Sequence, residues 1–267
     1  MDWGMKNRMA RLFDQKSGRT IFLAVDHGYF MGPTSGLEDL RATTEPLLPY
    51  ANALMLTRGA LRNYMDANVD IPIILRVSGG TSILAREWGD LLHEGITVSM
   101  EEAIRLNATA VAFSVMVGAK FERDTLLAFT QVIDEAERYG IPTLGVIAVG
   151  EGLNRDARYL SLAGRIAAEL GARIIKTYYC ENFERVVNTC PVPVVIAGGK
   201  KIPEKDALTM AYNALQAGAA GVDMGRNIFQ SEDPVAMIQA VRALVHENAT
   251  VDEAYELFLE LKNARSE

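Results

Sequence analysis

The sequence predicts an α/β fold, a (β/α)₈ (TIM) barrel, and three observations carry that expectation. Apolar runs of strand length recur along 267 residues, and several are rich in Val and Ile with little polar alternation, as strands buried on both faces are. Amphipathic stretches lie between them in the order strand, helix, strand, helix, which implies a parallel sheet with crossover helices. No Pro/Gly/Ser-rich linker interrupts the series, and a single barrel takes about 250 residues. A closed barrel is therefore favoured over an open doubly wound sheet. Residues 1–267 read as one barrel domain with an N-terminal cap segment and a C-terminal helix.

The elements follow in order. The segment before Thr20 would cap the barrel bottom or reach a neighbour. The expected strands are "TIFLAV", "NALML", "IPIILRV", "ATAVAFSV", "IPTLGVIAV", "ARIIK", "VPVVIAGG" and "AAGVDMG". Between them, "DTLLAFTQVIDEAERYG", "RYLSLAGRIAAELG", "EKDALTMAYNALQAG" and "PVAMIQAVRALVHEN" read as helices, with glycine or asparagine where a helix would stop. "TVDEAYELFLELKNARSE" reads as the terminal helix.

Composition narrows the function. Half the chain is apolar and 23% is charged, as in an ordinary soluble protein. A net charge of -7 argues against nucleic acid as a partner, because a duplex binder must supply a basic surface. Two cysteines, Cys180 and Cys190, make no disulfide framework and fit a reducing, cytoplasmic compartment. The N-terminus has no apolar h-region with a cleavage site, and no apolar run reaches the roughly 18 residues of a membrane span. No membrane partner is expected.

In a barrel, the loops after the strands build the site. The first strand ends in "VDHGYFMGP", which puts Asp26 and His27 on that rim, a carboxylate and an imidazole able to act as base and acid. Alternatively Asp26 caps a turn and His27 packs. Lys176 ends the sixth strand. It is either a solvated charge or, walled by the "II" before it and the "YY" after it, a desolvated amine able to attack carbonyls.

The seventh strand ends "IAGGKK" and the eighth "DMGRNIF". Gly198, Gly199, Gly225 and Arg226 fall in the two loops where barrel enzymes commonly hold phosphate. Their other reading is tight turns that need positive φ. Lys200 and Lys201 add charge there or simply precede a helix. Arg76, Ser78 and "TRG" after the second strand would line the mouth, with no role specified by their spacing. His27, His93 and His246 form no close ligand pair, so no metal is expected, and the chain has no dinucleotide fingerprint after an early strand.

The stretches "VDHGYFMGP", "IIKTYY", "CPVPVVIAGGKK" and "GVDMGRNIFQSEDPVAMIQAV" resemble the archaeal-type class I, Schiff-base aldolases, and the likeness runs from "DWGM" to "AYELFLELK". That resemblance implies a (β/α)₈ barrel, a phosphorylated substrate, an imine at Lys176, a general base at Asp26, and phosphate held by Gly198, Gly199, Gly225 and Arg226. Aldolases of the family usually carry a tyrosine acid just past the fifth strand, whereas this chain reads "GVIAVGEGLNRD" with no tyrosine before Tyr159.

The family's thiolase-like members lack that tyrosine too. Likeness to them implies acetyl transfer from a phosphorylated dione to coenzyme A as co-substrate, with no bound cofactor and with Asp26 or His27 shuttling protons. The alternatives are a metal-independent aldolase, on a sugar phosphate such as fructose bisphosphate or in the alternative aromatic-precursor route, and a non-catalytic phosphometabolite-binding barrel. Relatives assemble as stacked rings, so a homo-oligomer, a decamer, is the expected state. Cys180 reads as a small packing residue.

Overall fold

The computed structural model describes residues 1–85, 93–147 and 153–266. Among these, eight parallel strands close into a barrel: β1 Thr20–Ala24, β2 Ala53–Leu56, β3 Ile73–Arg76, β4 Ala110–Val115, β5 Thr143–Ile147, β6 Ile174–Tyr178, β7 Val194–Ala197 and β8 Gly221–Met224. Each pairs with the next in sequence, and β8 returns to pair with β1. Seven strands sit inside the expected apolar runs, and β6 begins inside its run and continues two residues past it, to Tyr178. The (β/α)₈ expectation holds.

Alternation along each strand sorts the side chains into two cores. Phe22, Met55, Ile74, Ala112, Leu144, Ile174 and Val195 fill the barrel interior, while Leu23, Leu54, Leu75, Val111, Ile175, Ile196 and Val222 face the surrounding helices. The helices expected from the amphipathic stretches are present at Glu122–Arg138, Ala157–Glu169, Glu204–Gln216 and Pro234–Glu247, with a terminal helix at Val251–Ser266.

Their starts and stops have local causes. The Asp156 carboxylate accepts from Tyr159 N–H at 2.9 Å, and Asp233 from Ala236 N–H at 2.9 Å just ahead of Pro234, so orphan amides are capped. Asn248 ends the latter helix in the left-handed region, at φ 58°.

The N-terminal segment caps the bottom of the barrel. Asp2 caps the helix Trp3–Leu12, and Leu12 is fully buried in the interior core, with Met9 and Phe13 packed against it. Burying such a side chain stabilises by roughly 1.5–3 kcal/mol. With the floor sealed by apolar groups, the polar side chains of the interior collect at the opposite end.

Candidate active site

Lys176 is the fixed point of the site. Ile174 faces the interior and Ile175 the helices, so the pleat turns Lys176 inward again, one layer above Ile174. The strand continues through Thr177 to Tyr178, so Lys176 lies within β6, where the sequence reading puts it at the strand end. The expected wall of two isoleucines and two tyrosines is also corrected by the pleat. Ile174 lies in the interior core and Tyr178 lines the cavity while also touching the outer core, whereas Ile175 and Tyr179 pack in the outer core and do not reach the cavity. In place of an all-apolar wall, Lys176 meets a carboxylate: its Nζ lies 2.9 Å from Oδ1 of Asp223 on β8, and it donates weakly to Met55 Sδ at 3.9 Å.

Asp223 faces inward because its neighbours Val222 and Met224 belong to the outer core. It is 1% exposed, and neither of its oxygens accepts a hydrogen bond among the described residues, the Lys176 contact at Oδ1 being an ion pair. Burial pushes its carboxyl above the usual range, against the pull of Lys176.

Asp26, just past β1, is held differently. Arg76 at the end of β3 reaches one oxygen, Oδ2, with both Nε at 2.8 Å and a terminal nitrogen at 2.7 Å. Burial alone would raise the Asp26 carboxyl, but the charges of Arg76 and Lys176 hold it below the usual range. Arg76 is itself fixed from behind. Its other terminal nitrogen donates to Ser114 Oγ at 2.9 Å and Ser78 Oγ at 3.3 Å, and Ser78 and the Tyr29 hydroxyl each donate to the Glu94 carboxylate at 2.6 Å.

His27 completes this side. Its Nδ1 is enclosed with no hydrogen-bond partner among the described residues, and its ring meets Phe229 edge-on at 5.7 Å. Burial pushes its imidazolium down to about 4, partly opposed by Asp26, so the ring is neutral at pH 7.

At the far rim lie the glycines and Arg226. Only Gly199 needs the left-handed region, at φ 71°. Gly225 is a matter of space: a Cβ there would stand 2.3 Å from Ala24 O and 2.7 Å from His27 Cε1. The reading of both loops as positive-φ turns therefore holds for Gly199 alone. Arg226 Nε is enclosed and has no hydrogen-bond partner among the described residues. Burial, and the charge of Arg155 stacked 3.7 Å over the Tyr178 ring, disfavour the Arg226 cation, although Tyr178 supports it. An anion would relieve that cost.

One cavity of about 200 Å³ collects the residues given catalytic or phosphate-holding roles from the sequence, Lys176, Asp26, His27, Gly198, Gly199, Gly225 and Arg226, but neither Ser78 nor the "TRG" after β2. It also takes in Asp223, Arg76, Tyr29, Glu94 and Ser114. Sequence reasoning gave Asp223, Tyr29, Glu94 and Ser114 no role, and only placed Arg76 at the mouth. Lys200 and Lys201 do not line the cavity. Lys201 is spent on Ile202 O at 2.6 Å and Glu204 at 2.7 Å, and Lys200 is exposed.

The absent tyrosine acid concerns residues 145–156, of which 148–152 lie outside the described residues. Tyr159 itself turns away from the cavity, packing in the outer core with its hydroxyl donating to Val117 O. His246 is a packing residue that bridges Ser17 Oγ at 2.8 Å and Asn52 Oδ1 at 2.9 Å. Cys180 is buried, as expected. Among the described residues, no group of three or more His, Cys, Asp or Glu could hold a metal ion, and no helix is long and apolar enough to cross a membrane.

A lysine inside a parallel barrel, paired with a carboxylate and facing a rim of glycines and arginine, is the layout of a Schiff-base aldolase. The chain belongs to the DeoC/LacD family of aldolases, whose family model matches residues 20–231. It is 53% identical to the 3-hydroxy-5-phosphonooxypentane-2,4-dione thiolase of Yersinia pseudotuberculosis, over 98% of this chain and 89% of that one. The thiolase of the same name from Photorhabdus laumondii gives the same figures. Among solved structures, an archaeal fructose-1,6-bisphosphate aldolase with its catalytic lysine covalently bound to a carbinolamine superposes with a TM-score of 0.79, at 28% identity, over 90% of this chain and 99% of that one.

Proposed function

We propose that the protein is a Schiff-base thiolase that transfers an acetyl group from 3-hydroxy-5-phosphonooxypentane-2,4-dione to coenzyme A, a step in breakdown of phosphorylated autoinducer-2. The observation that carries this reading is the enclosure of Lys176 in one cavity with an unsatisfied arginine, Arg226, in a chain 53% identical to that thiolase.

Lys176 condenses with the C4 ketone, while Arg226 and the amides of Gly198, Gly199 and Gly225 hold the phosphate. The thiol sulfur of coenzyme A attacks the C2 carbonyl, and the C2–C3 bond breaks. Its electron pair flows into the iminium, giving an enamine. Asp26 and His27 carry the thiol proton to C3. Hydrolysis of the new imine then frees a three-carbon hydroxyketone phosphate, dihydroxyacetone phosphate, and acetyl-coenzyme A leaves with the other two carbons of the dione. His27, neutral at pH 7, can relay a proton without holding a charge in the site.

Coenzyme A enters as co-substrate, with no resident cofactor. The whole chain acts as one barrel domain in the cytoplasm, where its two free cysteines stay reduced. Leu127 and Leu162, 53% and 54% exposed on outer helices, support burial in a homo-oligomer, a decamer by family likeness. Light scattering tests that state.

The test of function is an assay of acetyl-coenzyme A release from the phosphorylated dione, with fructose bisphosphate as control. Release that depends on coenzyme A and on Lys176 is expected. Cleavage of fructose bisphosphate without coenzyme A would instead establish the aldolase reading. That reading is disfavoured by Tyr159, the first tyrosine past β5, whose hydroxyl is committed to Val117 O.

A further inference from the structure

Asp223 is the group that the scheme above leaves unused. Imine formation needs two proton movements at the lysine itself. The ammonium must lose a proton before its nitrogen can attack, and the carbinolamine hydroxyl must gain one before it can leave as water. A single group within reach of Nζ can do both, provided it is an anion first and an acid next.

Resting on the reading that Lys176 condenses with a ketone, we propose that Asp223 is the catalytic acid–base of imine formation: it takes the proton from Lys176 and returns it to the departing hydroxyl. The Nζ to Oδ1 distance of 2.9 Å allows direct transfer, and Asp223 shares the cavity with the lysine. Atoms balance. Ammonium, carboxylate and ketone become amine, carboxylic acid and ketone. Attack and an internal proton shift from nitrogen to oxygen give the neutral carbinolamine. Donation from Asp223 then releases water and leaves an iminium beside a restored carboxylate.

Position rather than proximity of charge alone distinguishes Asp223 from the other carboxylate. Asp26 accepts two contacts from the guanidinium of Arg76, an ion that does not give up its proton. Asp223 has only an exchangeable partner, and its Oδ2 is enclosed without one. The charges that bear on it are Lys176 from β6, Asp26 beyond β1 and Arg76 from β3. Burial and the Asp26 charge make the protonated form of Asp223 accessible, which a donor requires. The iminium, once formed, replaces the ammonium as the cation facing Asp223, so the pair survives the reaction.

The test follows the rate at which dihydroxyacetone phosphate becomes reducibly attached to Lys176, with borohydride quench and peptide mass, across pH. Asp223→Asn is expected to form the adduct at least about 100-fold more slowly than the parent and to lose the pH dependence that Asp223 imposes. Asp223→Ser is expected to be equally slow but to recover with added formate, in proportion to its concentration, while the parent does not respond. A folded Asp223→Asn or Asp223→Ser protein that forms the adduct at the parent rate, or faster, overturns the assignment, as does Asp223→Ser indifference to formate. Failure of the parent itself to form any adduct would overturn the imine reading and this one together, whereas the outcomes in the variants bear on Asp223 alone.

Discussion

Asp26 and Asp223 are 5% and 1% exposed at the same end of one barrel, and each faces a cation, yet their carboxyls are displaced in opposite directions. Desolvation is the largest influence on both. The difference lies in the partner. Asp26 receives two guanidinium contacts on one oxygen, from an arginine braced by Ser114, Ser78 and, through them, Glu94 and Tyr29. Asp223 receives one ammonium contact and keeps an unsatisfied oxygen. A planar, permanently charged fork makes a fixed anion, while a single amine on a flexible stem leaves a proton that can move. The barrel thus holds a rigid pair and a labile pair side by side, and the proposed chemistry needs the labile one.

The largest expected effect separates the two pairs by stability. Arg76→Leu strands the buried Asp26 charge and should cost about 3–5 kcal/mol in denaturant unfolding. Asp223→Asn should cost less, because its carboxylate is already disfavoured by burial and Lys176, unlike an arginine, can shed its proton once its partner is gone. Equal losses would erase the distinction drawn here.

A second prediction sharpens the anion end of the cavity. On the proposal that Arg226 holds the phosphate, Arg226→Ala removes charged hydrogen bonds worth about 1.5–3 kcal/mol, so KM for the phosphorylated substrate should rise roughly 10- to 100-fold while kcat changes little. A fall in kcat at unchanged KM would place the phosphate elsewhere.

His27, beside the rigid pair, gives a smaller effect that only pH reveals. Its folded value, about 4, lies below the ordinary 6.5, so the unfolded chain takes up the proton first. The stabilisation this provides is complete above pH 6.5 and is lost as pH falls toward 4, about 1–3 kcal/mol in all. His27→Asn should flatten that part of the stability profile. Asp26, whose value is lowered, adds a loss of the same sign only below about pH 4, and Asp223, whose value is raised, contributes with the opposite sign. A variant that keeps the full slope between pH 6.5 and 4 would show that His27 is solvated.

Much of this was legible in the chain. Parallel strands buried on both faces leave apolar runs that periodicity can find, and all eight were found. Residues just past β1, β7 and β8, together with the lysine of β6, could be gathered at one rim because a barrel puts them there. The pairings across the barrel were not legible, since Lys176 meets Asp223, and Asp26 meets Arg76, only through closure of the sheet. A trace existed nonetheless. Asp223 in "AAGVDMG" and Arg76 in "IPIILRV" are charges within apolar strands, the same anomaly that marked Lys176, and two opposite charges in buried strands invite pairing. The wall of "II" and "YY" misled because adjacent residues on a strand face opposite sides.

The central claim is that Lys176 bonds covalently to a ketone phosphate. The most direct measurement is to incubate the protein with the phosphorylated dione, reduce with borohydride, digest, and locate the added mass. The account predicts one adduct, on the peptide containing Lys176. An unmodified protein, or an adduct on another lysine such as Lys200 or Lys201, would contradict it.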